Sequence, residues 1–198
     1  MAKAKTTEKA SLPLKERAVQ AALSLAVKQG WAATSLQDIA RACKCSLADL
    51  HDIFEDRNDI LAAYGRQIDH KVMERISIDP TSPERDRLFD VMMERFDALN
   101  DDRDAVISIL ESFRTDPKQA VITLPHLGRS MIWMLEAAGI EANGPKGAMT
   151  ALGLTGVYLY TLRAWKEDIS SDMGKTMAAL DKALGQAESA VQFLGRFI

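Results

Sequence analysis

The chain is 198 residues long, carries a formal net charge of −3, and consists of 47% hydrophobic and 27% charged residues. This composition is typical of folded globular proteins and argues against intrinsic disorder. A chain of this length buries enough apolar surface to stay folded without disulfides or a structural metal.

The N-terminal residues do not have the pattern of a secretory signal. The first 11 residues are polar and include Lys3, Lys5 and Lys9, with no apolar stretch behind them. The longest uncharged run, residues 147–162, is too short and too rich in Thr and Gly to span a bilayer. We therefore expect a cytoplasmic protein.

Charge is distributed unevenly near the N-terminus. Residues 1–33 contain six Lys or Arg and two Glu, whereas residues 34–60 contain three basic and six acidic residues. A basic arm at the N-terminus is suited to contact phosphate. A solvated, lysine-rich tail explains the same composition, and the sequence leaves both interpretations open.

The cysteines and histidines do not form a metal-binding or catalytic pattern. Cys43 and Cys45, the only cysteines, are too close in sequence for an ordinary disulfide with each other. Small residues of a turn are the simplest interpretation, and a redox sensor is the alternative. His51, His70 and His126 are scattered, without a Ser-His-acid or phosphate-loop pattern. We expect no enzyme, no metal and no cofactor.

Helical spacing dominates the first part of the chain. Apolar residues between Leu14 and Val27 recur at helical intervals, and Gly30 ends that helix. A short second helix is predicted to start at Ser35 and a third to run from Ser46 to about Phe54, each with a serine that can cap its first turn.

Prolines and small polar residues divide the rest of the chain, and no segment alternates in the manner of a half-buried strand. Further helices are predicted over 58–78, 82–100, 102–116, 117–124, 125–138 and 145–165, and from about 171 onward. The last helix carries a heptad stripe, which fits a bundle core or a dimer seam. Its members are Met173, Met177, Leu180, Leu184, Ala187, Val191 and Leu194.

The segment from Thr34 to Phe54 has the spacing of a helix-turn-helix. The pair Ile39–Ala40 in its first helix is placed to pack against Leu50 and Phe54 of the second. This segment resembles the head of the TetR-family regulators, which has a Thr before the first helix, an Ile-Ala pair within it, and an aromatic and a basic residue after the second. Here those last two residues are Phe54 and Arg57.

The resemblance implies an all-α, TetR-like fold. It implies a flexible basic arm at 1–12, a three-helix head at 13–57, and a helical ligand-binding and dimerisation domain at 58–198. The DNA-contacting residues that it implies are Lys44, Ser46, Leu47, Asp49, His51, Asp52 and Arg57.

Three of those DNA-contacting positions depart from the family pattern. Asp49, His51 and Asp52 stand where the family usually has Thr, Tyr and a basic or aromatic residue. Carboxylates held near phosphate repel it, which weakens binding to every DNA sequence. Because Asp can accept a hydrogen bond from cytosine N4, sequence-specific reading stays open.

A second resemblance covers the C-terminal half. Trp165, Asp168, Ser170, Thr176 and Leu180 have the spacing found in the ubiquinone-biosynthesis lipid-binding proteins, the ninth Coq protein and its bacterial relatives. Those proteins have a TetR-like fold, bind isoprenoid-type lipids and do not bind DNA. Trp133, Val157–Tyr158 and 85–99 also look like that family, whereas Ser130 and 145–147 depart from it. Helix capping explains Asp168 and Ser170 without any ligand.

Large apolar residues on the central helices suggest a ligand cavity. Methionine adapts to irregular apolar ligands, although packing within a core explains each residue taken singly. TetR-like bodies usually hold such a cavity, which favours the ligand interpretation for the set. Its members are Met92, Phe96, Met131, Trp133, Met134, Met149, Tyr158 and Trp165.

Three functions follow from the sequence. The first is a TetR-like transcriptional regulator that binds an operator and responds to an apolar ligand. The second is an accessory protein of ubiquinone biosynthesis that binds isoprenoid lipid, contacts a membrane peripherally and does not bind DNA. The third is a helical interaction protein with neither ligand nor DNA. We expect a homodimer through the last two long helices, because the heptad stripe and the Gly153/Gly156 face exceed what one small bundle needs.

Overall fold

The computed structural model describes residues 12–194, with side chains through residue 189, and within this part the chain is helical and has no strand. Most of the predicted basic arm and the side chains of Val191 and Leu194 therefore lie outside the described residues. The helices are α1 (Leu14–Gln29), α2 (Leu36–Cys43), α3 (Leu47–His51), α4 (Arg57–Arg75), α5 (Glu84–Asn100), α6 (Arg103–Thr115), α7 (Pro117–Ala137), α8 (Gly144–Glu167) and α9 (Gly174–Leu194).

The helices form two compact units. The first contains the described residues through 67 together with 101–125, and the second contains 68–100 together with the described residues from 126 onward. This division by contacts differs from the boundary expected after residue 57, because α6 and the start of α7 belong with the helix-turn-helix residues. Helices α4 and α7 each contribute residues to both units.

In the first unit, α1 packs against both α2 and α6. The buried face of α1 includes Val19, Leu23 and Ala26. Ser108 of α6 caps the C-terminal end of α1. Its hydroxyl donates to the carbonyl of Ala26 at 2.8 Å and accepts from the Trp31 amide at 3.1 Å. The helix end therefore keeps hydrogen-bond partners after its own ladder stops.

The second unit has an aromatic core between α5 and α8. Phe96 stacks on Tyr158 with ring centroids 5.4 Å apart, and Trp165 lies 6.5 Å from Phe96. The indole nitrogen of Trp165 donates to the Asn100 side chain at 3.0 Å, which satisfies the polar edge of a ring that is otherwise buried.

A buried ion pair lies beside this core. The guanidinium of Arg95 on α5 donates to the carboxylate of Asp69 on α4, and the Ser130 hydroxyl on α7 donates to the same carboxylate oxygen at 2.6 Å. All three residues are buried, and Arg95 also lies over the ring of Tyr158, 5.3 Å from its centroid. Three helices of the second unit are thus joined by one charged cluster.

The connection between α8 and α9 is organised by one buried carboxylate. Asp168 accepts hydrogen bonds from the backbone amide and hydroxyl of Ser170 and from the amide and hydroxyl of Thr176, the last two at 2.9 Å. These hydrogen bonds hold the pKa of Asp168 well below its ordinary value, and the bond from the Ser170 hydroxyl contributes most. Burial acts in the opposite direction and raises the pKa.

Two sequence-based predictions about helices are wrong, and a third differs by one residue at the start of its helix. Pro125 does not begin a new helix but lies inside α7, which continues through it although the proline ring has no N–H to donate. Helix α3 ends at His51 instead of Phe54, so Asp52 is its C-terminal cap. Helix α4 begins at Arg57, slightly before the predicted start.

The heptad stripe of α9 divides between two environments. Leu180 and Leu184 are buried within the chain, whereas Met177 is 40% exposed. The middle of the stripe therefore belongs to the core of the second unit, because α9 packs along α8 and also against α5. A substitution at Leu184 would therefore destabilise the fold of the single chain, and its effect on a contact with another copy could not be measured separately.

We expect the Asp69–Arg95 pair to be needed for the stability of the second unit. In Asp69→Asn the buried guanidinium loses its counter-charge, which costs about 3–5 kcal/mol when one partner of a buried pair is removed. Urea unfolding followed by circular dichroism measures this loss.

The matched control is Glu94→Gln, which breaks the solvent-accessible ion pair with Arg75 at 3.3 Å. That pair should contribute under about 1 kcal/mol. Equal unfolding midpoints for the two variants would show that the buried cluster does not stabilise the fold.

Candidate functional site

The two helices of the helix-turn-helix, α2 and α3, are stabilised at their N-termini by the same kind of hydrogen bonding. The Ser35 hydroxyl accepts from the Asp38 amide at 3.1 Å, while the Asp38 carboxylate accepts from the Ser35 amide at 3.1 Å. In α3 the Ser46 hydroxyl accepts from the Asp49 amide at 3.1 Å, and the Asp49 carboxylate accepts from the Ser46 amide at 2.8 Å. Both are reciprocal capping boxes that satisfy two amides each.

These hydrogen bonds stabilise the charged form of the two carboxylates. The pKa of Asp49 is lowered by the bond from the Ser46 amide and then by the Ser46 hydroxyl. The pKa of Asp38 is lowered first by the Ser35 hydroxyl and then by the Ser35 amide. Both groups are therefore fully ionised at neutral pH, next to the positive ends of short helices.

The turn between α2 and α3 depends on one left-handed residue. Lys44 has φ 56° and ψ 51°, and the amide of Cys45 donates to the Ala40 carbonyl at 3.0 Å. This geometry ends α2 and starts α3 within three residues. Ile39 and Ala40 are buried on one side of the turn and Leu50 on the other, as the spacing predicts.

Helix α3 presents a short exposed face. Leu47 is 51% exposed, and Ala48, His51 and Asp52 are exposed as well. Lys44 is exposed at the turn that precedes this face. A basic residue, an apolar residue, an imidazole and a carboxylate therefore lie together on the surface of one helix and its turn.

The acidic residues of this region are mostly helix caps. Asp56 accepts from the amides of Asn58 and Asp59 at 2.7 and 3.0 Å, and Asp59 accepts from the Glu55 amide at 3.1 Å. Together with Asp38 and Asp49, four of the six acids in 34–60 cap helices. The local negative charge thus has a structural cause. The sequence interpretation treated these acids as residues that face the DNA groove and did not distinguish the ones that cap helices.

Arg57 lies apart from the exposed face of α3. Its guanidinium donates to the carbonyls of Trp31 and Thr34 and lies 5.3 Å from the centroid of the Trp31 ring. It therefore ties the start of α4 to the connection between α1 and α2. The other six predicted DNA-contacting residues lie together between 44 and 52, and Arg57 does not join them.

The structure separates the predicted ligand residues into two groups. Met92, Phe96, Met131, Met134, Tyr158 and Trp165 are buried in the second unit. Trp133 is 56% exposed and Met149 is 68% exposed, because they lie on the outer faces of α7 and α8. A shallow depression of about 460 Å³ lies in the first unit beside Thr34, Arg57 and Gln119, and no predicted ligand residue lines it.

The charged cluster at this apolar core was not predicted from the sequence. Arg95 has an Nε atom that is buried without a hydrogen-bond partner, and its Nη1 donates to the Met134 sulfur at 3.8 Å. The signal was present in the spacing: Arg95 follows Leu88 and Met92 at intervals of four and three along α5, on the buried face.

The described residues show neither a metal-binding cluster nor a membrane-spanning helix. No described group of three or more His, Cys, Asp or Glu residues is arranged to hold a metal ion. None of the helices described is long and apolar enough to cross a membrane.

Comparison with solved structures defines the class of fold. A TetR transcriptional regulator from Nitrosomonas europaea aligns with a TM-score of 0.68 at 22% identity, covering 89% of this chain and 99% of that one. A TetR transcriptional regulator from Rhodococcus sp. RHA1 aligns with a TM-score of 0.65 at 16% identity, covering 88% and 95%. The predicted all-α, TetR-like fold is confirmed.

A third similar structure carries a ligand. It is the TetR-family repressor FadR of Thermus thermophilus in complex with lauroyl-CoA, with a TM-score of 0.57, 17% identity, and 87% and 92% of the two chains covered. No family model and no curated protein matches this chain. The resemblance of the C-terminal half to the ubiquinone-biosynthesis proteins is not confirmed by these comparisons.

Proposed function

We propose that this protein is a DNA-binding transcriptional regulator that reads its operator with α3. The observation that carries the proposal is the exposed face of α3, which follows a tight turn and is held by a capping box within a TetR-like fold. In helix-turn-helix proteins the second helix enters the major groove and its N-terminal residues contact base edges.

Lys44 is the residue best placed for a phosphate contact in this region. It is exposed at the turn directly before α3, and its left-handed backbone presents the side chain outside both helices. Lys contacts phosphate as a point charge without reading sequence. Leu47, His51 and Asp52 are the candidates for base contacts, and Asp49 acts mainly through the cap of α3.

The proposed effector is an apolar molecule with an acidic group, bound in the second unit. The six buried ligand residues supply apolar and polarisable contacts, and Arg95 supplies a buried cation whose Nε has no partner. A carboxylate or similar anion would accept from that N–H in a low-dielectric environment, where charge-assisted hydrogen bonds are strong. The lauroyl-CoA found in the FadR structure is an acyl ligand bound to the same fold.

The alternative role in ubiquinone biosynthesis loses part of its support. Trp165, Asp168, Ser170 and Thr176 carry the resemblance, and each has a structural task in the hydrogen bonding around α8 and α9. These contacts account for their spacing without an isoprenoid lipid. We therefore propose the regulator and retain the lipid-binding role as an outcome of the ligand experiment.

We propose a homodimer that uses the outer face of α8. Met149, Leu152, Leu159 and Tyr160 are exposed along this helix, between 40% and 73%. A β-carbon at Gly153 or Gly156, on the same face, would meet no atom within 4 Å. An apolar stripe with open glycines allows close approach of a second copy, and a two-fold dimer pairs the same patch from both chains.

The DNA proposal predicts a salt-dependent interaction that Lys44 strengthens. Fluorescence anisotropy with DNA from upstream of its own gene should show binding at low salt that falls steeply as salt is added. Lys44→Ala should weaken binding and reduce the slope of log affinity against log salt by about 1. Asp52→Asn should strengthen binding to random DNA, because a carboxylate near phosphate is removed without disturbing the N-terminal capping box of α3, which Ser46 and Asp49 form.

Lys182→Ala is the matched control, since Lys182 is an exposed lysine of α9. It should bind DNA as the wild type does. Absence of binding at low salt by the wild type, with none gained by Asp52→Asn, would contradict the regulator proposal.

The effector proposal predicts selective stabilisation by long-chain acids. A saturating long-chain fatty acid should raise the melting temperature and change the emission of buried Trp165, since ligand at 100 times its Kd stabilises by about 2.7 kcal/mol. The alcohol of equal chain length should act more weakly because it carries no charge for Arg95.

Trp133→Phe removes emission from the exposed indole and serves as the background for this measurement. Stabilisation by an isoprenoid quinone in place of the acids would support the ubiquinone role. An unchanged melting temperature with every apolar ligand tested would contradict any lipid or effector role.

The dimer proposal predicts that a charge on α8 separates the two chains without unfolding them. Leu152 is 73% exposed, so Leu152→Glu should leave the circular dichroism unchanged and give a monomer in sedimentation velocity. Val121→Glu, at a residue that is 65% exposed in the first unit, should remain dimeric. A monomeric wild type at micromolar concentration, or a dimeric Leu152→Glu, would overturn this proposal.

A further inference from the structure

The two cysteine thiols of the chain meet in the turn of the helix-turn-helix. The sulfur atoms of Cys43 and Cys45 lie 3.2 Å apart, and the chain has no other cysteine. Cys43 is buried at the end of α2, whereas Cys45 is partly exposed just before the cap of α3. A buried thiol and an accessible thiol are therefore in direct contact.

The backbone of Lys44 explains why residues so close in sequence bring their thiols together. In an extended chain, side chains separated by two residues stand well apart along the strand. Left-handed helical φ and ψ place the flanking Cα atoms about 5.4 Å apart, by the same geometry that spaces alternate residues of a helix. This separation lies within the range of disulfide bonds. The geometry of this turn therefore allows the disulfide that the sequence spacing alone argues against.

The surroundings distinguish the two thiols chemically. Burial, followed by the contact with Cys45, raises the pKa of the Cys43 thiol to about 11, so that it stays protonated at neutral pH. The Cys43 thiol also points to the Ala40 carbonyl at 3.6 Å. Cys45 is the sulfur that a reagent from solvent reaches first, because it is the more exposed of the pair.

We propose that Cys43 and Cys45 form a redox modification site that hydroperoxides convert to an intrachain disulfide. The Cys45 sulfur attacks the terminal peroxide oxygen, the O–O bond breaks, and an alcohol (water, when the oxidant is hydrogen peroxide) leaves as Cys45 becomes a sulfenic acid. The Cys43 sulfur then attacks the Cys45 sulfur, the S–O bond breaks, and the departing hydroxyl takes the Cys43 proton as water. Two thiols are oxidised, and one hydroperoxide is reduced to an alcohol and water.

The position of this disulfide couples it to α3. The bond would shorten the sulfur separation from 3.2 Å to about 2.05 Å, and it would link Cys43, the last residue of α2, to Cys45 in the connection to α3. Lys44 lies between the two cysteines in the sequence, and the Ser46 amide and hydroxyl of the α3 capping box follow directly. Oxidation therefore disturbs the phosphate-contacting residue and the cap together. The effect on DNA rests on the proposed function, whereas the oxidation itself does not.

The chemical step is tested on the full chain by intact mass and thiol titration after treatment with hydrogen peroxide. The expected result is loss of both titratable thiols and of two hydrogen atoms in mass, without linkage between chains, and reversal by dithiothreitol. Cys43→Ser should stop at a sulfenic acid that dimedone captures, and Cys45→Ser should resist oxidation under the same treatment. Chains linked to each other, or sulfinic acids in the wild type without any disulfide, would overturn the proposal.

The functional consequence is tested by DNA binding of the reduced and oxidised wild type. Oxidised protein should bind at least about fivefold more weakly, the factor expected from loss of one helix cap, and Cys45→Ser should be insensitive to peroxide. Equal affinity of the reduced and oxidised forms would overturn the coupling to α3. Failure of the reduced protein to bind DNA would instead contradict the proposed function. The intact-mass measurement would still show whether the disulfide forms.

Discussion

Two short helices can present a surface to DNA only if the unpaired backbone amides of their first turns find hydrogen-bond partners, because nucleation of a helix this short is unfavourable. Helix α3 spans Leu47–His51, scarcely more than one turn. The reciprocal bonds between Ser46 and Asp49 satisfy amides that the helix itself leaves unpaired. The α2 cap does the same through Ser35 and Asp38. The exposed face of α3 depends on these bonds for its existence.

The same carboxylates change how the acidity of this region is understood. Asp49 and Asp56 look unfavourable for contact with a polyanion when they are considered as side chains facing a groove. Their hydrogen bonds at helix N-termini show that each is already engaged with partial positive charge. The carboxylates of Asp52 and Glu55 are exposed as well. The negative charge of this region therefore follows in large part from the capping of its helices.

In the first unit the charged capping residues are at least partly exposed, whereas the second unit has a charged pair buried in its core. Arg95 and Asp69 are removed from solvent, and such a pair is tolerated only when its geometry and additional hydrogen bonds offset the cost of desolvation. Ser130 supplies one of those bonds and the Tyr158 ring faces the cation. A buried cation among methionines and aromatic rings is also what an apolar acid would need. Under the proposed function, the cluster that joins these helices is also the group that recognises the acidic end of the ligand.

The sequence by itself determined the helical elements and the helix-turn-helix, because hydrophobic spacing and capping residues act within a few residues of each other. Ser35 with Asp38 and Ser46 with Asp49 were recognisable for that reason. The TetR-like fold followed from the resemblance of the segment between Thr34 and Phe54 to a known family. Only the tertiary structure decided that Arg57 faces Trp31, that Trp133 and Met149 are exposed, and that Leu184 is buried. It also brought Asp69 to Arg95 and the Cys43 thiol to Cys45. These outcomes depend on which side of a helix meets another helix, or on one left-handed residue, and a one-dimensional pattern does not contain either.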